Sequence, residues 1–155
     1  MANTLSILHQ KQIEDGFCLP ASAQMALAYL GFARSQAELA RILQVRPGFG
    51  APASNILNLR SRRIEATYHT NGVWDDLHAW LQRQVPVIVC VQAGELPHWR
   101  GAQAQHAGVV VGLDEHNVHL HDPALDHGPV AVPTADFWLA WDEMEGRYAV
   151  LTRHP

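Results

Sequence analysis

CLPASAQMALAYLG, residues 18–31, is rich in alanine, leucine and methionine. Its proline falls within the first turn of a helix, where a missing N–H costs no hydrogen bond, and Gly31 stands where helices often end. The stretch therefore predicts a buried helix over residues 18–29, which begins near Cys18.

Three further helical segments are predicted before residue 86. Ser35 and Glu38 have the spacing of a capping box at the start of a second helix. Pro52 is suited to open a third, because proline is common at the first helical position. The fourth segment has apolar residues at helical spacing, at Trp74, Leu77, Trp80 and Leu81. The first half of the chain is thus predicted to be mainly helical.

After Pro86 the pattern changes to short runs rich in β-branched residues, which predict strands. These runs are VIVCV at 87–91, AGVVVGL at 107–113, NVHLHD at 117–122 and RYAVLT at 147–152. One more short helix is predicted around Phe137 to Trp141. The order predicts a single α+β domain over residues 1–155, with an N-terminal helical half packed on a C-terminal antiparallel sheet.

Composition excludes several classes of protein. With 48% apolar and 17% charged residues and a formal charge of -4, the chain has the balance of a globular protein and no basic surface for nucleic acid. Residues 1–10 lack the pattern of a targeting signal, and no apolar run is long enough to span a bilayer. A cytoplasmic location is expected, and the two cysteines, Cys18 and Cys90, are then expected to be free thiols.

Cys18 is the candidate nucleophile. At the start of a helix, exposed N–H groups and the helix dipole favour a thiolate over a neutral thiol. The alternative is a small buried core residue, and only a partner base decides between the two. Cys90 lies within the apolar run VIVCV, where burial raises a thiol's pKa, so it is interpreted as structural.

His106 and Asp122 are the candidate base and the residue that orients it. His106 precedes the strand AGVVVGL, and Asp122 ends the next strand. If the turn between them centres on Glu115, His106 lies opposite Ala124 with Asp122 as its diagonal neighbour on the same face, about 7–8 Å away between backbones. An aspartate there could fix the imidazole tautomer. The alternatives are a surface histidine and a turn-forming Asp-Pro pair.

Gln12 is a candidate donor to an oxyanion. It lies six residues before Cys18, and Asp15 and Gly16 allow a turn that would return its amide toward the thiol. The alternative is a solvent-exposed glutamine in an N-terminal loop.

Together these features resemble the bacteriocin-processing, double-glycine peptidase family. The resemblance is carried by Gln12, by the helix from Cys18, by HAGVVVGLD from His106 and by HDPA around Asp122, and further by VPVIVCV at 85–91 and the closing DFWLAWDEMEGRYAVL. In that family the nucleophile is usually preceded by Asp and followed by Gly, whereas Phe17 and Leu19 flank Cys18 here. The family's cleft shape and substrate preference therefore do not transfer directly.

The resemblance implies a papain-like fold and a cysteine peptidase without metal or cofactor. Cys18 would attack a peptide carbonyl, His106 would accept and return the proton, and Asp122 would orient His106. Gln12 and the backbone N–H of Cys18 would bind the oxyanion. Many relatives are domains of export transporters that cleave leader peptides after two glycines, so a peptide or protein substrate is expected, with any transporter partner unidentified.

Three alternatives remain open from the sequence. A metal site could be built from His116, His119, His121 and either Asp122 or His127. A pseudo-peptidase would bind peptides without cutting them. An acyl-enzyme on Cys18 could also be resolved by an amine, or a glutamine side chain could be deamidated.

Overall fold

A computed structural model of the protein describes residues 4–155. Residues 1–3, which begin both the predicted domain and the segment predicted to lack a targeting signal, lie outside the described residues. The helices are α1 (Cys18–Tyr29), α2 (Gln36–Ile42), α3 (Trp74–Gln82) and α4 (Thr134–Asp142). The strands are β1 (Ile64–His69), β2 (Val87–Gln92), β3 (Gln105–Leu113), β4 (Asn117–His121), β5 (Val130–Pro133) and β6 (Tyr148–Arg153).

The six strands form one antiparallel sheet in the order β1-β6-β2-β3-β4-β5. β2 and β3 are central, and Val91 of β2 lies opposite His106 of β3. β3 and β4 form a hairpin with an irregularity between Val110 and Gly112. The start of β3 and the end of β4 therefore lie side by side at the same end of the sheet.

Helices cover both faces of the sheet. One apolar cluster contains Met25 and Leu27 of α1, Leu39 of α2 and alternate residues of the central strands such as Ile88 and Val109. The other cluster contains Leu77 of α3, Phe137 and Trp141 of α4, and the intervening strand residues Val89 and Val110. Because β2 and β3 are buried on both faces, they are continuous apolar runs.

The structure confirms the predicted fold class and corrects details of it. α1 has the predicted bounds, and the Ser35 hydroxyl accepts a hydrogen bond from the Glu38 N–H at 3.1 Å. The third predicted helix, from Pro52, is a 3-10 helix at Ala53–Leu59. β1 was not predicted. It lies in the half of the chain expected to be mainly helical, and its mixed sequence IEATYH is only partly buried at the sheet edge.

Over residues 4–155, none of the helices combines the length and the apolar character that crossing a membrane requires.

Candidate active site

Cys18 is the first residue of α1 and is partly buried. Phe17, at the N-cap, offers no side chain to the exposed N–H groups, and the first turn holds no acidic residue. The positive end of the helix dipole therefore acts on the thiol without a competing side chain. Gly16, two residues before Cys18, has a φ of 85°. A Cβ at this position would stand about 3.1 Å from the Gly50 backbone nitrogen, so this turn requires glycine.

His106 is the second residue of β3, and its side chain is only 6% exposed. Its Nε2 lies 2.6 Å from Oδ1 of Asp122. An ionised carboxylate can only accept hydrogen bonds, so Nε2 carries the proton. The imidazole also lines one small cavity together with the Cys18 thiol, and it is close enough to change the pKa of that thiol.

Asp122 follows β4 directly, and its side chain is completely buried. Its Oδ1 accepts from His106 and, at 2.9 Å, from the backbone N–H of Ala124. Its Oδ2 accepts from Nε2 of His98 at 2.7 Å and from Nε1 of Trp99 at 2.8 Å. Four donors thus compensate the burial of one negative charge.

These contacts shift three pKa values in directions that favour an ion pair. Burial alone would raise the pKa of Cys18, but the hydrogen bond and charge of His106 lower it below its ordinary value. Burial would lower the pKa of His106, but Asp122 and Cys18 raise it to about 9. The pKa of Asp122 is well below its usual range because hydrogen bonds from His106 and His98 outweigh its burial. The lowered pKa of Cys18 and the raised pKa of His106 both favour a thiolate beside an imidazolium over a neutral pair.

Cys90 shares a small cavity with Cys18 but has the opposite electrostatics. The cavity measures about 120 Å³ and is also lined by Phe49, Met144 and Arg147. Burial, and secondly the nearby Cys18, raise the pKa of the Cys90 thiol to about 12. Its position in the buried strand β2 agrees with a structural role. A larger groove of about 620 Å³, elsewhere on the protein, is lined by no cysteine.

Gln12 contacts the segment that follows Asp122, and only part of its side-chain amide is hydrogen-bonded. Its backbone N–H bonds the carbonyl of Pro123, the residue after Asp122, at 2.8 Å. One N–H of its side-chain amide donates to the Glu14 carbonyl at 3.2 Å, while Oε1 is buried without a partner. The structure therefore ties Gln12 to the Asp122 segment, and its amide faces its own loop.

Two further residues belong to this site, His98 and Trp99. Neither residue is among the site residues predicted from the sequence. Both lie in the short 3-10 helix Pro97–Trp99, in the connection between β2 and β3, and both donate to Asp122. The indole of Trp99 also packs edge-on against the His106 ring, with 4.8 Å between ring centroids. One feature of the sequence could have indicated them: the connection between β2 and β3 must return the chain to the end of the sheet where His106 lies, at the second position of β3.

The histidines of the alternative metal site have separate neighbours. His119 lies 2.8 Å from Oδ2 of Asp114. His121 contacts His9 and the carbonyl of Ile7. Within residues 4–155, no three histidine, cysteine, aspartate or glutamate side chains converge to hold a metal ion.

Solved structures of peptidase domains share this fold. One is a protein of Bacillus anthracis described as a C39-like peptidase, with a TM-score of 0.74, 16% identity and coverage of 96% of this chain and 98% of that chain. A double-glycine motif protease from an AMS/PCAT transporter, solved in complex with the leader peptide, gives 0.73, 18% and coverage of 98% and 95%. The peptidase domain of Streptococcus ComA, a bifunctional ABC transporter involved in quorum sensing, gives 0.69, 18% and coverage of 96% and 98%.

At these identities the likeness shows the papain-like fold alone. No curated protein sequence matches the chain significantly. The family comparison reaches further, because residues 4–149 match the Peptidase_C39 like family. This match spans nearly the whole sequence, and the chain therefore belongs to that family of peptidases.

Proposed function

We propose that the protein is a cysteine peptidase in which Cys18 is the nucleophile, His106 the general base and acid, and Asp122 the residue that orients His106. The observation that carries the proposal is the hydrogen bond of His106 to the buried Asp122 carboxylate, with the Cys18 thiol and the His106 imidazole lining the same small cavity. A nucleophile, a base and an orienting group in this order are what covalent catalysis of acyl transfer requires.

In the proposed reaction each of these residues has a separate role. The Cys18 thiolate attacks the peptide carbonyl carbon, and the carbonyl oxygen gains a negative charge. The backbone N–H of Cys18 and the Gln12 amide stabilise this oxyanion, for which Gln12 turns away from the Glu14 carbonyl. The His106 imidazolium then donates its proton to the departing amine, leaving an acyl-enzyme. Water, activated by the now neutral His106, attacks the thioester and releases the acid and Cys18.

A peptide lying along the cleft is the proposed substrate. The cavity beside Cys18, about 120 Å³, is well below the roughly 300–1,000 Å³ typical of sites that enclose small molecules. It admits one small group of a longer substrate. The likeness to a double-glycine motif protease solved in complex with the leader peptide supports a leader-type peptide with two consecutive glycines before the cleaved bond.

The proposal extends to the setting of the enzyme. We place it in the cytoplasm as one domain that needs no metal or cofactor, with any transporter partner unidentified. Two free thiols, Cys18 and Cys90, are compatible with a reducing compartment.

The first test is the pH dependence of thiol alkylation. We expect iodoacetamide to label Cys18 rapidly at about pH 6, below the ordinary thiol pKa of about 8.5, because His106 stabilises the thiolate. Cys90 should remain slow, since its pKa is raised to about 12. Mass spectrometry of tryptic peptides follows the two sites in one sample.

His106→Ala should remove the fast labelling of Cys18, and the exposed His116→Ala should keep it as the matched control. If Cys18 is no faster than Cys90 in the unmodified protein, the peptidase proposal is wrong and a pseudo-peptidase replaces it. If Cys18 is labelled rapidly, the mass of the products of a peptide substrate separates hydrolysis from acyl transfer and deamidation.

A second test uses the alkaline side of the pH profile. Hydrolysis needs the His106 imidazolium to protonate the amine, whereas alkylation needs only the thiolate. We therefore expect cleavage of a fluorogenic Gly-Gly-aminomethylcoumarin peptide to decline as pH rises through about 9, the pKa of His106, while Cys18 alkylation does not decline. A parallel rise of both rates above this pH would exclude His106 as the general acid.

A further inference from the structure

The buried carboxylate of Asp122 binds two imidazoles. His106 approaches Oδ1 at 2.6 Å, and His98 approaches Oδ2 at 2.7 Å through its own Nε2. The carboxylate is ionised and only accepts hydrogen bonds, so His98 must also donate through Nε2–H. The indole N–H of Trp99 is the second donor to the same oxygen, at 2.8 Å.

These donors fix the plane of the carboxylate. A carboxylate held by a single partner can rotate about its terminal torsion, which is broad and roughly two-fold. Here the Ala124 N–H and His106 hold Oδ1, while His98 and Trp99 hold Oδ2. Rotation would break hydrogen bonds on both oxygens, so Oδ1 stays directed at His106.

The segment that brings His98 to Asp122 is itself anchored. Leu96 is completely buried in the apolar cluster with α4. The side-chain oxygen of Gln92 accepts hydrogen bonds from the backbone N–H groups of Gly94 and Ala104, at 3.3 Å and 2.8 Å. These bonds hold together the two ends of the connection between β2 and β3. The His98 side chain is 22% exposed, so it reaches the carboxylate from the solvent side of the site.

We propose that His98 is a positioning residue for the reaction. It acts through Asp122, holding Oδ2 together with Trp99 so that Oδ1 orients the His106 imidazolium toward Cys18. This inference rests on the proposed function and assigns His98 no contact with the substrate. A charge-assisted hydrogen bond from His98 to a buried carboxylate belongs to the stronger class of such bonds.

The experiment compares His98→Leu, which removes the donor, with His98→Gln, whose amide N–H can replace Nε2–H. For His98→Leu we expect the acid-side inflection of Cys18 alkylation to move up by roughly one pH unit and kcat on the Gly-Gly-aminomethylcoumarin peptide to fall about tenfold, with KM unchanged. His98→Gln should restore most of both values. Trp99→Phe, which deletes one N–H from the same oxygen, should shift both in the same direction.

Controls separate this inference from the function on which it rests. His116→Leu, at an exposed position, should match the unmodified protein. Absence of a low-pH Cys18 thiolate in the unmodified protein would overturn the proposed function. A normal unmodified protein with unchanged inflection and kcat in folded His98→Leu would overturn the positioning role alone. Nitrogen-15 NMR of the unmodified protein needs no variant: Nε2 of His98 should be protonated, and a bare Nε2 would also contradict the inference.

Discussion

Replacing Cys18 with alanine is expected to abolish peptide hydrolysis and leave the fold intact. Without the sulfur no acyl-enzyme can form, and loss of a nucleophile in such a unit lowers kcat by at least about 10⁴-fold. Alanine is the best helix former and Cys18 is only partly buried at the start of α1, so little packing is lost. Cleavage of the Gly-Gly-aminomethylcoumarin peptide and a thermal melt by circular dichroism measure the two effects.

Cys90→Ala is the matched control, because it removes the other thiol of the same cavity. Its raised pKa keeps Cys90 protonated, so hydrolysis should persist. Removing a buried sulfur from β2 should cost about 1 kcal/mol of unfolding free energy. Undiminished hydrolysis by Cys18→Ala, or abolition by Cys90→Ala in a folded protein, would show that the nucleophile has been assigned incorrectly.

Local patterns were enough to predict the helix that carries Cys18. Its composition, the early proline and Gly31 gave α1 its observed bounds, Cys18–Tyr29. The sequence also predicted how β3 and β4 are aligned near the site. A turn centred on Glu115 puts Val109 opposite His121, which the structure shows.

That alignment nevertheless depends on a feature that was not predicted. Close to the turn, Leu113 pairs with Val118 and Gly112 with His119, which is one residue out of step with a turn centred on Glu115. The bulge between Val110 and Gly112 corrects the difference before the strands reach the site. A bulge inserts one residue without a distinctive pattern, so periodicity alone does not reveal it.

His98 and Trp99 were beyond sequence reasoning for a different reason. They lie in a 3-10 turn, Pro97–Trp99, that has no periodicity, and they reach Asp122 across 24 and 23 positions of sequence. Only the folded sheet brings these segments together. For Gln12, proximity in sequence to Cys18 indicated a turn but not the hydrogen bond to the Glu14 carbonyl.

Asp122→Asn should impair both activity and stability, because asparagine cannot satisfy the donors that Asp122 accepts. The N–H groups of Trp99 and Ala124 cannot become acceptors, and they bond different oxygens of the carboxylate. In either orientation of an asparagine amide, its NH₂ group therefore faces one of these two donors. The buried unpaired donor should cost about 1–3 kcal/mol of unfolding free energy.

The charge is lost as well, and this loss acts on the couple of His106 and Cys18. Asp122 raises the pKa of His106, so without its charge that pKa falls and the Cys18 thiolate loses its imidazolium partner. We expect hydrolysis of the Gly-Gly-aminomethylcoumarin peptide to fall by roughly 10²–10⁴-fold, the range seen when the orienting carboxylate of a triad is neutralised. The onset of Cys18 alkylation should move to higher pH.

The stability difference should itself depend on pH, with a sign fixed by Asp122. Its folded pKa is lower than its unfolded value of about 3.9, so the carboxylate stabilises the protein above that pH and progressively less as the pH falls. Urea unfolding should therefore show the gap between the unmodified protein and Asp122→Asn narrowing from about pH 5 to pH 3. A constant gap would mean that shape, and not charge, makes Asp122 stabilising.

Asp114→Asn provides the control for this last prediction. Asp114 also bonds an imidazole, that of His119, and the backbone N–H groups of His116 and Asn117, which lower its pKa to about 2. It lies in the turn at the opposite end of the β3–β4 hairpin from His106. Its replacement should therefore alter acid stability and leave hydrolysis unchanged. Equal losses of activity in both variants would mean that Asp122 acts through general stability, whereas a loss confined to Asp122→Asn ties the carboxylate to the reaction.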